Sequence, residues 1–124
     1  MLPAFVNSRA MAEWVKAGVN DFIGSTFCAD TETISKSGNK VRMWVMYVYK
    51  MAHDVGEKFG KYISTISHND YDCMEAKVRV TYQSRFSKNM GKGKKEVETS
   101  INFDWYPVEP DTHDELLWKI ACGK

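Results

Sequence analysis

No apolar run in this sequence approaches the roughly 18 residues that a bilayer-crossing helix needs, so the chain carries no transmembrane helix of its own. Charge of one sign is missing as well: 17 Lys and Arg face 16 Asp and Glu, a net charge of +1. That balance argues against wholesale polyanion binding and sets nucleic acid aside as a partner, leaving only local electrostatic roles. The opening Met1-Leu2-Pro3-Ala4-Phe5-Val6 lacks the basic stretch and sustained apolar core of a secretory signal. The chain is then either cytosolic or the mature form of an exported protein. Neither a CxxC nor an HxxxH pair is present, and there is no nucleophile elbow, phosphate loop or pair of acids on one helix. These absences point away from an enzyme and from a bound cofactor or metal.

What is present fits one soluble domain. The 124 residues are 44% apolar and 27% charged, enough to bury a core without relying wholly on crosslinks. Residues 1–11 show no periodicity and read as a mobile lead-in, with a single domain over 12–124. A short strand is expected over Ala12–Lys16, anchored by Trp14. Thr26–Ile34 and Lys40–Met51 read as a hairpin turning at Ser35-Lys36-Ser37-Gly38-Asn39. Val41–Met51 is apolar on both parities and is the candidate central strand. Lys61–Ser67 is a further strand, ended by a turn at His68-Asn69-Asp70-Tyr71-Asp72. Met74, Ala76, Val78, Val80, Tyr82 and Phe86 then alternate with polar residues. At about 3.3 Å per residue that strand would reach roughly 40 Å, so a bulge or bend is expected. Met90–Lys95 is a glycine-bearing turn into a last alternating stretch from Val97 to Trp105, closed by Pro107 and Pro110. Thr112-His113-Asp114-Glu115 matches a capping box. It opens a short helix whose Leu116, Leu117, Ile120 and Ala121 should face the sheet.

Three cysteines cannot all pair within one chain, so one is spare unless two molecules join as a homodimer. Cys28, in a strand-like apolar run, is the expected spare. Cys73 and Cys122 then form a disulfide, stay as free thiols, or join His68 and His113 at a metal. Arg85, Lys88, Lys92, Lys94 and Lys95 gather around one hairpin tip and form the candidate binding patch, for sulfated glycans, lipid headgroups or an acidic protein segment. The alternative is a solvated edge that discourages strand aggregation. Trp14, Trp44, Trp105 and Trp118 are expected between sheet and helix, with an exposed one available as an interface anchor. Met43, Met46, Met51, His53 and Tyr47 could suggest a haem pocket but read better as core. His68, Asp70 and Asp72 are the one compact polar group, explained equally by turn chemistry.

The order of several features resembles the surface-adhesin protein E family of Gram-negative bacteria. They are Trp14, the Thr33-Ile34 and Gly38 hairpin running into VRMWVMY, the YDC turn ending at Cys73, MGKG at Met90–Gly93, WYPVEPDT from Trp105, and the helix closing on Cys122. The resemblance implies an α+β fold, a curved and mainly antiparallel sheet of about six strands with a C-terminal helix disulfide-linked to it through Cys73 and Cys122. It also implies export to the cell envelope, periplasmic or on the outer surface. The implied role is non-catalytic binding, with host extracellular-matrix or plasma proteins, or an envelope protein, as partners. A periplasmic structural or accessory protein is the alternative, and a haem or ligand carrier a remoter one. Cys28 and the lack of a lipidation cysteine at the start depart from the family pattern.

Overall fold

The computed structural model describes residues 14–20, 24–54, 61–88, 91–93, 95–100 and 104–124. The proposed lead-in over 1–11, the start of the first strand at Ala12 and the break at Gly56 and Gly60 lie outside them. One antiparallel sheet contains β1 (Trp14–Asn20), β2 (Ser25–Ser37), β3 (Lys40–Asp54), β4 (Lys61–Asp72), β5 (Lys77–Phe86) and β6 (Lys95–Ser100), neighbours in sequence being neighbours in space. The two-residue β7 (Tyr106–Pro107) adds to the free end of β5, and α1 (His113–Cys122) packs on one face. From β1 to β6 the order is a meander with no crossover, each strand pairing antiparallel with the next across a short sequence separation. Between β2 and β3, Gly38 takes φ 61°, a conformation open to glycine without strain.

The helix-side face holds the core: Phe27 and Ala29 from β2, Val41, Met43 and Val45 from β3, Tyr71 from β4 and Val78 from β5 meet Leu117 and Ala121 of α1. Burying Leu117 alone contributes roughly 1.5–3 kcal/mol. The helix starts as its sequence dictates. Thr112 Oγ1 accepts from the Glu115 backbone N–H at 3.3 Å, and Glu115 Oε1 accepts from the Asp111 N–H at 3.2 Å. It stops at Gly123, whose φ of 70° carries the chain into the left-handed region. Cys73 and Cys122 are bonded, with Cα atoms 5.7 Å apart, so the last turn of α1 is tied to the turn that follows β4. Cys28 is a free, buried thiol.

Several expectations need correction. The stretch His68–Asp72 is not a turn: β4 runs through it to Asp72. Its turn-forming side chains are satisfied across the sheet instead, Asp70 by two arginines and Asn69 by Ser67 and Tyr71. The turn falls at residues 73–76, leaving Met74 exposed, and Cys73 precedes the regular pleat of β5. In β5 the expected bulge is present: His68 pairs with Tyr82 but Asn69 with Val80, so Thr81 is the extra residue. The bulge reverses parity, so Val78 faces the helix side while Tyr82 faces the other side, beside Trp44. Leu116, expected in the core, is exposed. The first strand runs to Asn20 rather than ending at Lys16, and bulges at Ala17. Pro107 does not end the sheet outright but pairs with Lys77.

Candidate binding face

The face opposite the helix is built in rows, because β3, β4 and β5 pair in register and every second residue points the same way. Lys40, Arg42 and Trp44 of β3 lie opposite Asp72, Asp70 and His68 of β4, which lie opposite Lys77, Arg79 and Tyr82 of β5. Met46 and Val48 continue the first series against Ile66 and Ser64, and these against Ser84 and Phe86. One end of the face is therefore charged, the middle aromatic and the far end apolar.

At the charged end the two guanidiniums share one carboxylate. Arg42 donates from Nε to Asp70 Oδ1 at 2.7 Å and from Nη2 to Oδ2 at 3.2 Å, and Arg79 donates from Nε to Oδ2 at 3.1 Å. The Asp70 side chain is only 8% exposed. Burial alone would raise its pKa, but the hydrogen bonds and charges of Arg42 and Arg79 outweigh that and hold the carboxyl below the usual range. Next to it Lys40 Nζ lies 3.4 Å from Asp72 Oδ2. Asp72 Oδ1 accepts the backbone N–H groups of Met74 and Glu75 at 3.0 and 2.9 Å, which fixes the carboxylate to the turn. Trp105 lies with its ring centroid 4.6 Å from the Arg79 guanidinium carbon and 5.9 Å from Lys40 Nζ. The indole thus sits over β4, between cations of β3 and β5, a cation–π arrangement that restrains both side chains.

In the aromatic row the Trp44 and His68 rings are parallel at 3.9 Å, and Tyr82 meets Trp44 edge-on at 5.9 Å. Burial first, then the Arg42 charge, lowers the His68 pKa, with Asp70 acting the other way. His68 is therefore neutral at pH 7, which suits a stacked ring. Of the four tryptophans only Trp118 packs on the core under the helix; Trp44 and Trp105 belong to this opposite face.

The basic patch read from the sequence divides. Lys88 and Lys92 sit in the β5–β6 turn, which folds back over the apolar end: Ser64 Oγ donates to the Lys88 carbonyl oxygen at 2.5 Å and accepts from the Gly91 N–H at 3.0 Å. Lys95 Nζ lies 5.9 Å from the Phe86 ring, on the same side. Arg85 pairs with Thr65, itself opposite Tyr47, so it points to the helix side, where Nη2 donates to Gln83 Oε1 at 3.0 Å. Lys94 lies outside the described residues. The face away from the helix consequently has Lys40, Arg42 and Arg79 at one end and Lys95 near the other, while Lys88 and Lys92, in the turn that closes over Ser64, border a concavity with Ile63 and Ser87. The first group went unread in the sequence because a turn at His68–Asp72 would have broken the strand that aligns it. The signal was there in the equal parity of residues 40, 42 and 44 and of 68, 70 and 72.

The other sequence candidates do not converge. Met43 faces the helix and Met46 the opposite side, so they cannot share a haem or metal pocket; the side chains of Met51 and His53 lie outside the described set. His68, Asp70 and Asp72 are successive outward positions of one strand, tied by the stack, the arginines and the turn. Among the described residues no group of His, Cys, Asp and Glu could hold a metal ion, and no helix is long and apolar enough to cross a membrane. The Cys28 thiol is pushed up by burial, partly offset by Lys16, and is poorly reactive. A wider concavity of about 700 Å³ opens beside the start of α1 between Val19, Phe27, Leu116 and Tyr106. There burial, and then Asp114, push the Tyr106 hydroxyl up to about 12.

The same architecture occurs in Haemophilus influenzae protein E. One crystal form superposes with a TM-score of 0.69 at 12% identity, over 89% of this chain and 87% of that one. The protein from a non-typeable strain gives a TM-score of 0.67 at 13% identity, over 89% and 75%. No curated protein sequence matches the chain. The family model described as surface-adhesin protein E matches residues 14–123, which takes in every row of the face, the disulfide and the helix. The chain belongs to the surface-adhesin protein E family and is an adhesin-type protein of the bacterial envelope.

Proposed function

We propose that the chain is a non-catalytic, exported binding domain that recognises a macromolecular partner, a host extracellular-matrix or plasma protein, through the sheet face opposite the helix. The observation that carries this reading is the set of cross-strand rows, which hold charged and aromatic groups in fixed positions, with Lys40 and Arg42 about half exposed at one end. Ordered side chains lose little entropy on binding, and arginine with tryptophan supplies the anchors common at interface hot spots. The basic turn bearing Lys88, Lys92, Lys94 and Lys95 forms the second contact zone, with Arg85 beside it on the other face. Recognition without turnover is supported by the family and by the fixed pairing of Asp70 and Asp72, the acids of the charged end. Binding of the purified domain to immobilised matrix and plasma proteins tests the reading. Arg42→Gln with Lys88→Gln should weaken capture and make it less salt-sensitive. Capture by the variant equal to that by the parent would refute the assignment of this face.

A further inference from the structure

The charged end of this face carries more than a general positive field. A shallow groove of about 310 Å³ runs along it, lined by Ser35, Ser37, Lys40, Arg42, Asp70 and Arg79. The pairing explains the lining. β2 bulges between Asp30 and Ser35, which brings Ser35 opposite Arg42 and Ser37 opposite Lys40, so hydroxyls border the cations along one side. On the far side stands Trp105, against Arg79 and Lys40.

Charge counting narrows the ligand. Lys40 is matched by Asp72 and Lys77 by Glu75, but among the described residues Asp70 is the one carboxylate paired with both Arg42 and Arg79, leaving a surplus of one positive charge in that row. Asp70 engages Nε of both guanidiniums and one Nη of Arg42, so the remaining N–H edges are turned away from it, and the Arg42 side chain is 49% exposed. A single surplus charge suits a monoanion; a dianion would be half neutralised and would stand close to Asp70. Guanidinium is weakly hydrated and is therefore a better partner for a sulfate half-ester or carboxylate than an ammonium would be. The neighbouring hydroxyls and aromatic rings suit the hydroxyl groups and C–H faces of sugar rings. Because the groove is open along the sheet, it takes a position along a chain rather than a small enclosed molecule.

We infer that the groove between Ser35, Arg42 and Arg79 is a subsite for an acidic glycan, binding the sulfate or uronate group of one sugar residue. The inference rests on the reading of this face as the binding surface and names the chemistry at one end of it.

Calorimetric titration of the whole chain with a heparin-derived hexasaccharide, and separately with a hyaluronan-derived one that carries carboxylates alone, tests it. Saturable binding of at least one is expected, sensitive to salt. A response to both assigns the carboxylate, and a response to the first alone assigns the sulfate. Arg42→Lys keeps charge and loses the planar fork, and should weaken binding roughly tenfold or more, the effect of one charge-assisted contact. Lys40→Gln, a change at a half-exposed side chain, should weaken it in the same sense with only a small drop in melting temperature, since the ion pair with Asp72 is partly exposed. Loss of binding in Lys88→Gln with Lys92→Gln, but not in Lys40→Gln or Arg42→Lys, would overturn the assignment by moving the glycan to the other end. Preferential binding of an acidic oligopeptide would overturn it too. If neither saccharide binds while matrix-protein capture still depends on Arg42, the glycan inference alone falls. If capture fails as well, the reading of the face falls with it.

Discussion

The indole N–H of Trp118 donates to the backbone oxygen of Asp72 at 2.9 Å, one residue before the cysteine that bonds to Cys122. Helix α1 is thus held to the end of β4 twice, by a hydrogen bond from its middle and a covalent bond from its last turn. Crosslinking over a separation of 49 residues is worth about 4 kcal/mol at most in the chain-entropy model. Urea denaturation of Cys122→Ser should show a loss approaching that value, and Trp118→Phe a loss of about 1 kcal/mol. Because both ties fix the same helix, the double variant should lose less than the sum. Additive losses would show that the two act independently.

Thiol chemistry separates the three cysteines. With Cys28 free and buried and the other two bonded, the denatured, unreduced protein should take up one equivalent of a thiol reagent, and the reduced protein three. In the native state labelling should be slow, since burial both raises the Cys28 pKa and blocks access. Rapid native labelling would contradict the burial of that strand.

Acid should loosen the charged end of the face first. Asp70 has a folded-state pKa below its ordinary value of about 3.9. Its contribution to stability is therefore fully present above the ordinary value and is lost as pH falls through the lower, folded one. Asp70→Asn should cost roughly 2 kcal/mol at pH 7, because two arginines lose a charge-assisted partner, and less at pH 2. Melting curves at the two pH values check this. A cost that persists unchanged in acid would mean that packing rather than charge is lost.

Asp114 runs in the opposite sense. Burial raises its pKa, against the influence of His113 and a hydrogen bond with Tyr106. A carboxyl raised on folding favours the folded state while protonated, and that advantage is lost as pH rises through its folded value. Asp114→Asn should therefore flatten the pH dependence of stability above the ordinary carboxylate range. An unchanged profile would mean that this side chain ionises without penalty.

Gly91 is the closing point of the β5–β6 turn over the sheet. It takes φ 73°, and a Cβ there would lie 2.6 Å from Ile66 Cδ1. Gly91→Ala should cost roughly 1–2 kcal/mol, from backbone strain and displacement of Ile66, and should mobilise Lys88 and Lys92. Hydrogen exchange at the Gly91 amide, which donates to Ser64 Oγ, reports it directly. Protease treatment of whole cells addresses display: a surface form is removed and a periplasmic one is spared.

Much of the fold was legible because strand alternation and helix capping are local. The period-two pattern gave the hairpins, the apolar run on both parities gave β3 as a central strand, and Thr112 with Glu115 marked the start of α1. Tertiary pairing decided the rest. Asn69 and Asp70 have turn-forming side chains, and only partners on the strand itself and on neighbouring strands, Ser67, Tyr71, Arg42 and Arg79, could keep them in a strand. One inserted residue at Thr81 chose the face for Tyr82 and Phe86, which alternation by itself cannot specify. Sequence alone therefore determined which segments extend or coil. The register between strands, pairing residues up to 32 apart such as Lys40 and Asp72, determined which charges meet, because cross-strand neighbours depend on pairing and not on separation along the chain.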